Sequence, residues 1–321
     1  MIPHDYQLQC FKEDGTPLGK AILLPLGGVL SEGVEALHWQ SFVETGRGLA
    51  DPIEVVPRWS PDAGEPVVEA LCLESGSSTV SLPATRLFHP MAVRQRTRLL
   101  EDGALKESES YGFLVTARPA EEPSPLPVFS LADYPLSTQR IEIGGEPVDA
   151  EFAAAGDFPV LIAPKVLRDA VNLAEVAGEA EAGGVLFGHL MKTVDGTTVA
   201  LSITHLWPAT GGRGDQSSFT FTPETWTSAA VALAERSADE LMVGSFHSHP
   251  DFCRKCPPER QAVCKLREPF FSRDDEQLQQ SVFPAGYSVG LLASHDGEKP
   301  IPSLWGWRDG FTARRSYLIP S

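Results

Sequence analysis

The chain has 321 residues, and hydrophobic residues make up 42% of them. That length and composition allow two domains of ordinary size with buried cores, and they exclude a disordered chain. The formal net charge of -17 at pH 7 argues against a nucleic-acid-binding surface, which needs clustered lysine and arginine.

The beginning of the chain lacks the features of a targeting segment. Residues Met1–Tyr6 have neither a basic start nor an apolar core, so no secretory signal is expected. The longest early apolar run, Ala21–Leu30, is interrupted by Pro25, Gly27 and Gly28. It falls far short of the ~20 residues that span a bilayer. These observations predict a cytoplasmic protein with no membrane partner.

Residues 1–118 are predicted to form a β-rich N-terminal domain. Short apolar or alternating runs are separated by Gly, Pro and Ser, which is typical of a small β sandwich or barrel. The predicted strands are Tyr6–Phe11, Leu18–Leu24, Val67–Leu73, Ser78–Leu82 and Tyr111–Val115. Residues 119–157 follow as a linker and connector, because the prolines that crowd their first part favour an extended spacer. The segment from Phe129 to Asp157 is either a connector or the edge of one of the two domains.

Strand and helix signals interleave from residue 158 to residue 321, which predicts an α/β or α+β domain. Proline or serine marks the start of three predicted helices, at Pro164, Pro223 and Ser272. The predicted strands are Gly183–Gly188, Val199–Trp207, Leu241–His247, Tyr287–Ala293 and Ile301–Trp307.

Two histidines at the end of an apolar strand carry the strongest chemical signal. His247 and His249 are two residues apart, so on a strand they point to the same face. Pro250 ends the strand directly after them. The pair predicts two ligands of one metal ion, and a third protein ligand would leave the open position that a catalytic zinc needs. The alternative is that the two histidines are ordinary polar residues near a turn and bind no metal.

The start of the third helix supplies a candidate third ligand. With Ser272 at the N-cap, Asp275 lies one turn into the helix and can point back toward the strand end. Asp274 is the neighbouring alternative, but its side chain would point roughly a quarter turn away. The motif Ser-x-x-Asp is also common as a plain helix cap.

Glu181 is the candidate general base. It precedes the buried strand Gly183–Gly188, where folding needs no carboxylate, and a base must reach the water beside the metal. Glu179 lies close by in the sequence. The alternative is that both are solvated acids at the end of a helix.

These residues together resemble the signature of the JAB/MPN metalloprotease (JAMM) family. The motifs that carry the resemblance are, in order, Glu181-x-x-Gly184-x-Leu186-x-Gly188, His247-Ser248-His249-Pro250 and Ser272-x-x-Asp275. The resemblance covers roughly Phe158 to Arg308 and includes Ser303–Trp307, which is similar to the closing strand of that domain. It implies an α+β domain in which helices flank a curved sheet.

The resemblance also implies a hydrolase. His247, His249 and Asp275 would bind a catalytic zinc ion. Glu181 would take a proton from water, and Ser272 would help to stabilise the oxyanion. The implied bond is an isopeptide or peptide bond after the C-terminal glycine of a ubiquitin-like protein. Such a tail is slender and extended, which suits a narrow groove beside a sheet edge.

The resemblance leaves several functions open. The enzyme would either deconjugate a ubiquitin-like protein or process its precursor, and its partners would include that protein, its conjugates and conjugation-pathway enzymes. A non-catalytic scaffold of the MPN type is the alternative, but scaffold members generally lack the metal-binding residues that are present here. A DNA-repair-associated relative has a similar His-x-His-Pro motif, but the acidic charge argues against it.

The chain departs from the family at residues 251–271, which form an insertion between the second histidine and the serine. The insertion contains Cys253, Cys256 and Cys264, and Cys-x-x-Cys is a common metal-ligand spacing. It predicts a second, structural zinc site near the active site, and the alternative is three reduced thiols. The candidates for a fourth ligand are His295, Cys10, Cys72 or a partner.

Overall fold

The computed structural model describes residues 4–49, 51–120, 133–215, 218–252, 256–261 and 268–320. The chain divides into two compact units, Met1–Ala132 and Asp133–Ser321. Most of the proline-rich stretch predicted as a linker falls between residues 120 and 133, outside this description. Within the described ranges, no helix is both long and apolar enough to cross a membrane.

Strands predominate in the first unit, as the sequence predicts. Its elements are β1 (His4–Lys12), β2 (Pro17–Leu23), α1 (Ser31–Thr45), β3 (Glu54–Ser60), β4 (Gly64–Ser75), β5 (Ser78–Pro83), α2 (Ala84–Leu87), α3 (His89–Glu101) and β6 (Tyr111–Pro119). The strands form a six-stranded sheet in the order β2-β1-β6-β4-β3, and β5 pairs with β4. Tyr6, Leu8 and Cys10 alternate along β1 and are buried, so one face of this strand belongs to the core.

The described part of the first unit is not the predicted sandwich or barrel, because its strands form one open sheet, with β2 and β3 at its ends, and helices lie beside it. Helix α1 contacts β4 and β5. Gly33 lies on this contact, and a Cβ there would meet Leu82 at 2.6 Å. The buried face of α1 includes Val34 and Trp39, which have weak intrinsic helix preference. Packing on the sheet therefore adds to the stability of this helix.

Strands and helices interleave in the second unit. Its elements are β7 (Leu136–Ile141), β8 (Glu146–Val148), β9 (Val160–Ile162), α4 (Pro164–Ala177), β10 (Gly183–Thr193), β11 (Val199–Pro208), β12 (Arg213–Gly214), β13 (Phe219–Thr220), α5 (Pro223–Ala234), β14 (Leu241–His249), α6 (Pro258–Gln261), α7 (Arg273–Val282), β15 (Val289–His295), β16 (Pro300–Arg308), β17 (Phe311–Arg315) and β18 (Tyr317–Ile319). The three predicted helix starts and the five predicted strands are all present.

The main sheet of the second unit is curled. Its strands follow the order β17-β16-β15-β14-β10-β11-β9-β18-β8, and β7 pairs with the far part of β10. Only Ser316 separates β17 from β18, although these strands stand near opposite ends of the order. The sheet must therefore bend until its two ends approach each other. This agrees with a mixed α+β fold.

Helices flank this sheet and pack against its central strands. Val185 and Phe187 of β10 are fully buried against Ala229 of α5 and Phe283, which follows α7. Helix α4 contacts β11, β14 and β16 through one buried stripe that includes Ala170. Strands β10 and β14 lie in the middle of the sheet, so their ends are well-supported positions for a site.

Part of the predicted connector 119–157 belongs to the second unit. Strand β7 pairs with β10, and β8 pairs with β18. Asp149 accepts a hydrogen bond from Arg314 at 2.8 Å, and Asp157 accepts one from Arg308 at 2.7 Å. The second unit begins at Asp133, before the predicted boundary at residue 158, and residues 133–157 agree with the alternative of a domain edge. The two strands are short and largely polar, so they have no hydrophobic period that would reveal them.

Candidate metal centre

Strand β14 carries both histidines into the interior of the second unit. His247 and His249 are 3% and 5% exposed, and their ring centres are 5.0 Å apart. They share one face of the strand because they are two residues apart. Strand β14 ends at His249, directly before Pro250, as the sequence predicts. Sheet backbone therefore holds both side chains.

Strand pairing brings Glu181 to the histidines. Strands β10 and β14 are antiparallel, and their register continues beyond the start of β10. There the amide of Ser248 donates to the carbonyl of Ala182 at 2.9 Å. The amide of Ala182 in turn donates to the Ser248 hydroxyl at 2.9 Å. This register places Glu181 opposite His249, and Glu181 Oε1 lies 4.0 Å from His249 Nε2.

The hairpin β12–β13 holds the other side of Glu181. The amide of Glu181 donates to the carbonyl of Asp215 at 2.8 Å. Gly214 lies so near that a Cβ there would come within 1.9 Å of the Glu181 carbonyl oxygen. Gly183 likewise leaves room for the ring of Phe219, which a Cβ would meet at 2.2 Å. Neighbours on both sides thus hold the backbone at Glu181 in place.

The first turn of α7 contains the third candidate ligand. The Ser272 hydroxyl accepts a hydrogen bond from the amide of Asp275 at 3.2 Å, and Asp275 Oδ2 accepts one from the amide of Ser272 at 2.7 Å. This is a reciprocal capping box. Asp275 Oδ1 lies 3.2 Å from His247 Nε2, whereas Asp274 is exposed. The helix cap and the carboxylate facing the histidines are therefore the same residue.

Three side chains converge closely enough to hold one metal ion. The ligand atoms of His247, His249 and Asp275 all lie within 4.8 Å of one another. Asp275 Oδ2 is 3.8 Å from His249 Nε2. Tetrahedral zinc with bonds of about 2.0 Å places its ligand atoms roughly 3.3 Å apart, so small side-chain movements bring this set around one ion. Two imidazoles and one carboxylate also leave a fourth position open.

A buried nitrogen favours a shared cation over a simple ion pair. His247 Nε2 is only 3.2 Å from Asp275 Oδ1, yet it has no hydrogen-bond partner among the described residues. A pair this close that makes no hydrogen bond is misaligned. Buried nitrogens without a partner are uncommon, and a cation between the two atoms would satisfy both. The residues therefore fit a metal.

Glu181 is a buried carboxyl beside this cluster. It is 6% exposed, so the alternative of a solvated acid is wrong for Glu181, although Glu179 is exposed. Burial raises the pKa of Glu181 to about 7; His247 lowers it, while Asp275 and Asp215 raise it. A carboxyl with such a pKa can accept a proton and return it near neutral pH.

The environment holds two of the candidate ligands in metal-binding forms. Burial would raise the pKa of Asp275, but contacts with His247 and His249 outweigh burial and keep that pKa well below its ordinary value. Burial lowers the pKa of His249, and the contact with Asp275 opposes this shift. A carboxylate and a neutral imidazole are the forms that bind a metal ion.

Aromatic rings surround the centre, which the sequence analysis did not predict. The rings of Phe270 and Phe252 lie 4.8 Å and 5.6 Å from that of His249. Phe271 lies 5.4 Å from His247. All three phenylalanines are half-buried, so they form an apolar rim. The sequence signal that could have predicted this rim is the pair Phe270 and Phe271, which directly precedes the helix cap.

The second predicted metal site is only partly described. Cys256 is half-buried and is a free cysteine. Cys253 and Cys264 fall in the ranges that the structure leaves undescribed, so a structural zinc at the insertion stays a prediction. Among the candidate fourth ligands, His295 already accepts a hydrogen bond from the amide of Gly297 at 3.0 Å through Nδ1.

Comparison with known proteins identifies no family for this chain. No family model matches it, and no curated protein matches it. A solved protein from Desulfitobacterium hafniense is 17% identical, with 50% of this chain and 93% of that one covered and a TM-score of 0.35. A solved protein from Salinibacter ruber (strain DSM 13855) is 22% identical, with 50% and 91% covered and a TM-score of 0.32. What the site does must therefore be argued from its own residues.

Proposed function

We propose that the second unit is a zinc-dependent peptidase or isopeptidase of the JAMM type. One observation carries the proposal: His247, His249 and Asp275 converge within 4.8 Å, and the buried carboxyl of Glu181 stands 4.0 Å from His249 Nε2. Three ligands, an open position and an adjacent base are the parts of a hydrolytic zinc centre. These are also the residues of the sequence resemblance.

Glu181 serves as the general base in this proposal. A zinc ion at the cluster would polarise the scissile carbonyl and lower the pKa of a neighbouring water toward ~7. Glu181 accepts the proton of the attacking water, since its carboxylate is next to the ligand His249. It then gives that proton to the leaving amine, which returns the carboxylate to its starting state.

Ser272 supplies a hydrogen bond to the developing oxyanion. Its oxygen accepts from the amide of Asp275, which leaves the hydroxyl proton available for donation. The capping geometry fixes Ser272 beside Asp275, so the donor needs no rearrangement during the reaction. The helix start would thus provide both a ligand and a donor.

The proposed substrate is a bond after the C-terminal glycine of a ubiquitin-like protein. The half-buried rim of Phe252, Phe270 and Phe271 and the nearly buried histidines favour a slender, extended segment over a bulky one. The protein or its conjugates would be the partner, together with conjugation-pathway enzymes. Deconjugation and precursor processing both use this chemistry.

The test compares the parent chain with Glu181→Ala, Asp275→Ala and the matched control Asp274→Ala. Each protein is stripped with a chelator, reloaded with zinc, and measured for bound zinc and for cleavage of a ubiquitin-like protein fused through its terminal glycine. We expect Glu181→Ala to keep zinc and lose cleavage, because it removes only the base. Asp275→Ala should lose both, and the exposed Asp274→Ala should lose neither.

Two results would contradict the proposal. Full cleavage by Glu181→Ala would remove Glu181 from the role of base. A parent chain that binds no zinc and cleaves no fusion would favour the alternative, a non-catalytic scaffold that binds a partner. The chelated parent should be inactive and should recover when zinc is returned.

A further inference from the structure

Ser294 lies on the sheet directly beside the second histidine. Strand β15 runs parallel to β14, and Ser294 is the registered partner of His249. Registered partners on neighbouring strands point their side chains to the same face. Glu181 flanks His249 from β10, so Ser294 flanks it from the opposite neighbour.

Ser294 and His249 each have a buried polar atom without a partner. Ser294 is 5% exposed, like His249. Neither the Ser294 hydroxyl oxygen nor His249 Nδ1 has a hydrogen-bond partner in the described part of the chain. Buried groups of this kind normally find one. Two such atoms on registered neighbours call for a common explanation.

The other nitrogen of His249 is the one that faces the metal cluster. Nε2 lies 3.8 Å from Asp275 Oδ2 and 4.0 Å from Glu181 Oε1. Nδ1 is therefore the nitrogen that must carry the proton when Nε2 binds a metal. Metal-binding histidines usually donate that second N–H to an oxygen, which fixes the tautomer and the ring orientation. The rings of Phe270 and Phe252 on His249 offer no such acceptor.

We propose that Ser294 is a positioning residue for His249. The two atoms do not hydrogen-bond to each other in this structure. When a metal is bound, the Ser294 hydroxyl oxygen would accept the Nδ1–H of His249, through one water or after a side-chain rotation, and so would keep Nε2 unprotonated and directed at the metal. Ser294 acts through His249 and does not touch the substrate. The proposal rests on the proposed metal centre, but not on the cleavage that the centre performs.

The test measures metal affinity rather than turnover. The full chain is stripped of metal and titrated with zinc alone against a competing chelator, and then with cobalt(II), whose absorption bands report ligand geometry. The variants are Ser294→Ala, which removes the hydroxyl, and Ser294→Thr, which keeps it. Ser288→Ala is the matched control, because Ser288 is also a buried serine, next to the other end of β15.

We expect Ser294→Ala to bind zinc about 10-fold more weakly or worse and to show altered cobalt bands. Ser294→Thr should stay close to the parent, as should Ser288→Ala. The thermal midpoint of metal-stripped Ser294→Ala should equal that of the stripped parent. A midpoint loss that matches the affinity loss would instead show a role in packing and overturn the proposal.

Three further outcomes separate this proposal from the proposed activity. Parent-like affinity and cobalt bands in Ser294→Ala would overturn the role of Ser294 alone. A parent that binds zinc but cleaves no substrate, with Ser294→Ala still weakened, would overturn the activity and support the positioning role. A parent that binds neither zinc nor cobalt would overturn both.

Discussion

Ser248 connects the candidate metal ligands to the candidate base. It stands between the two histidines, and its amide and hydroxyl both bond to Ala182, the residue after Glu181. Ser248 is 2% exposed, so water cannot readily replace its hydroxyl. This side chain therefore helps to set the distance between Glu181, the candidate base, and the candidate metal ligands.

We predict that Ser248→Ala lowers turnover about tenfold or more while bound zinc stays unchanged. The variant leaves the amide of Ala182 without its acceptor, which costs about 1–3 kcal/mol and loosens the segment that carries Glu181. Steady-state cleavage and zinc analysis of the same samples measure the two effects. Ser248→Thr keeps the hydroxyl and is the control. Parent-like turnover in Ser248→Ala would show that the link does not position the base.

The first turn of helix α7 contains both the helix cap and a candidate metal ligand. The capping box of Ser272 and Asp275 starts the helix, and the same Asp275 faces both histidines. Acidic residues also suit the positive end of a helix dipole. The start of α7 therefore decides where the third candidate ligand stands.

Substitutions at Ser272 can separate the cap from the oxyanion donor. Ser272→Ala should lower stability by about 1 kcal/mol, whereas Ser272→Gly should cost only a few tenths, because glycine is a tolerable N-cap. Both lack the hydroxyl, so both should lose about 100-fold in kcat. Ser272→Thr should retain both the stability and the kcat of the parent. Urea unfolding measures the stability of each variant, and steady-state kinetics measure its kcat.

The kinetic result decides between the two roles of Ser272. If kcat follows stability, so that Ser272→Gly is nearly as active as the parent, the serine is a helix cap alone. If both variants are equally slow at different stabilities, the hydroxyl takes part in the reaction.

The second unit includes a segment that the sequence assigns to a connector. Arg314 pairs with Asp149, and Arg308 pairs with Asp157. Arg315 is 1% exposed and donates to the carbonyl of Phe158 at 2.8 Å. Arg308 and Arg314 are half-buried, so these ion pairs tie residues 149 and 157 to the last strands of the unit. At the scale of the whole molecule, residues 133–157 are therefore part of the fold.

We predict that a chain beginning at Asp133 folds and unfolds cooperatively, whereas a chain beginning at Phe158 does not. The shorter chain lacks β7 and β8, and it leaves Arg308 and Arg314 without the carboxylates of Asp157 and Asp149. Thermal unfolding followed by circular dichroism makes the comparison. Equal midpoints for the two chains would mean that the segment is only attached to the surface.

Local patterns were enough for much of the candidate site. His247 and His249 are related by the two-residue period of a strand, and Ser272 and Asp275 by one turn of a helix. The helix α3 also had a local signal, since Pro90 lies at its start, although the sequence analysis did not use it. Helix α1 had no local sequence signal as clear as these. Its contacts with β4 and β5 are visible only in the tertiary structure.

The sequence alone determined that strands and helices interleave after residue 158, and which residues are candidates for metal and base. Only the tertiary structure decided that Glu181 is buried opposite His249, that Ser294 flanks the same ring, and that residues 133–157 join the sheet. The reason is physical. Periodicity acts over a few residues and is visible in the chain, whereas strand register and burial depend on residues that are distant in sequence.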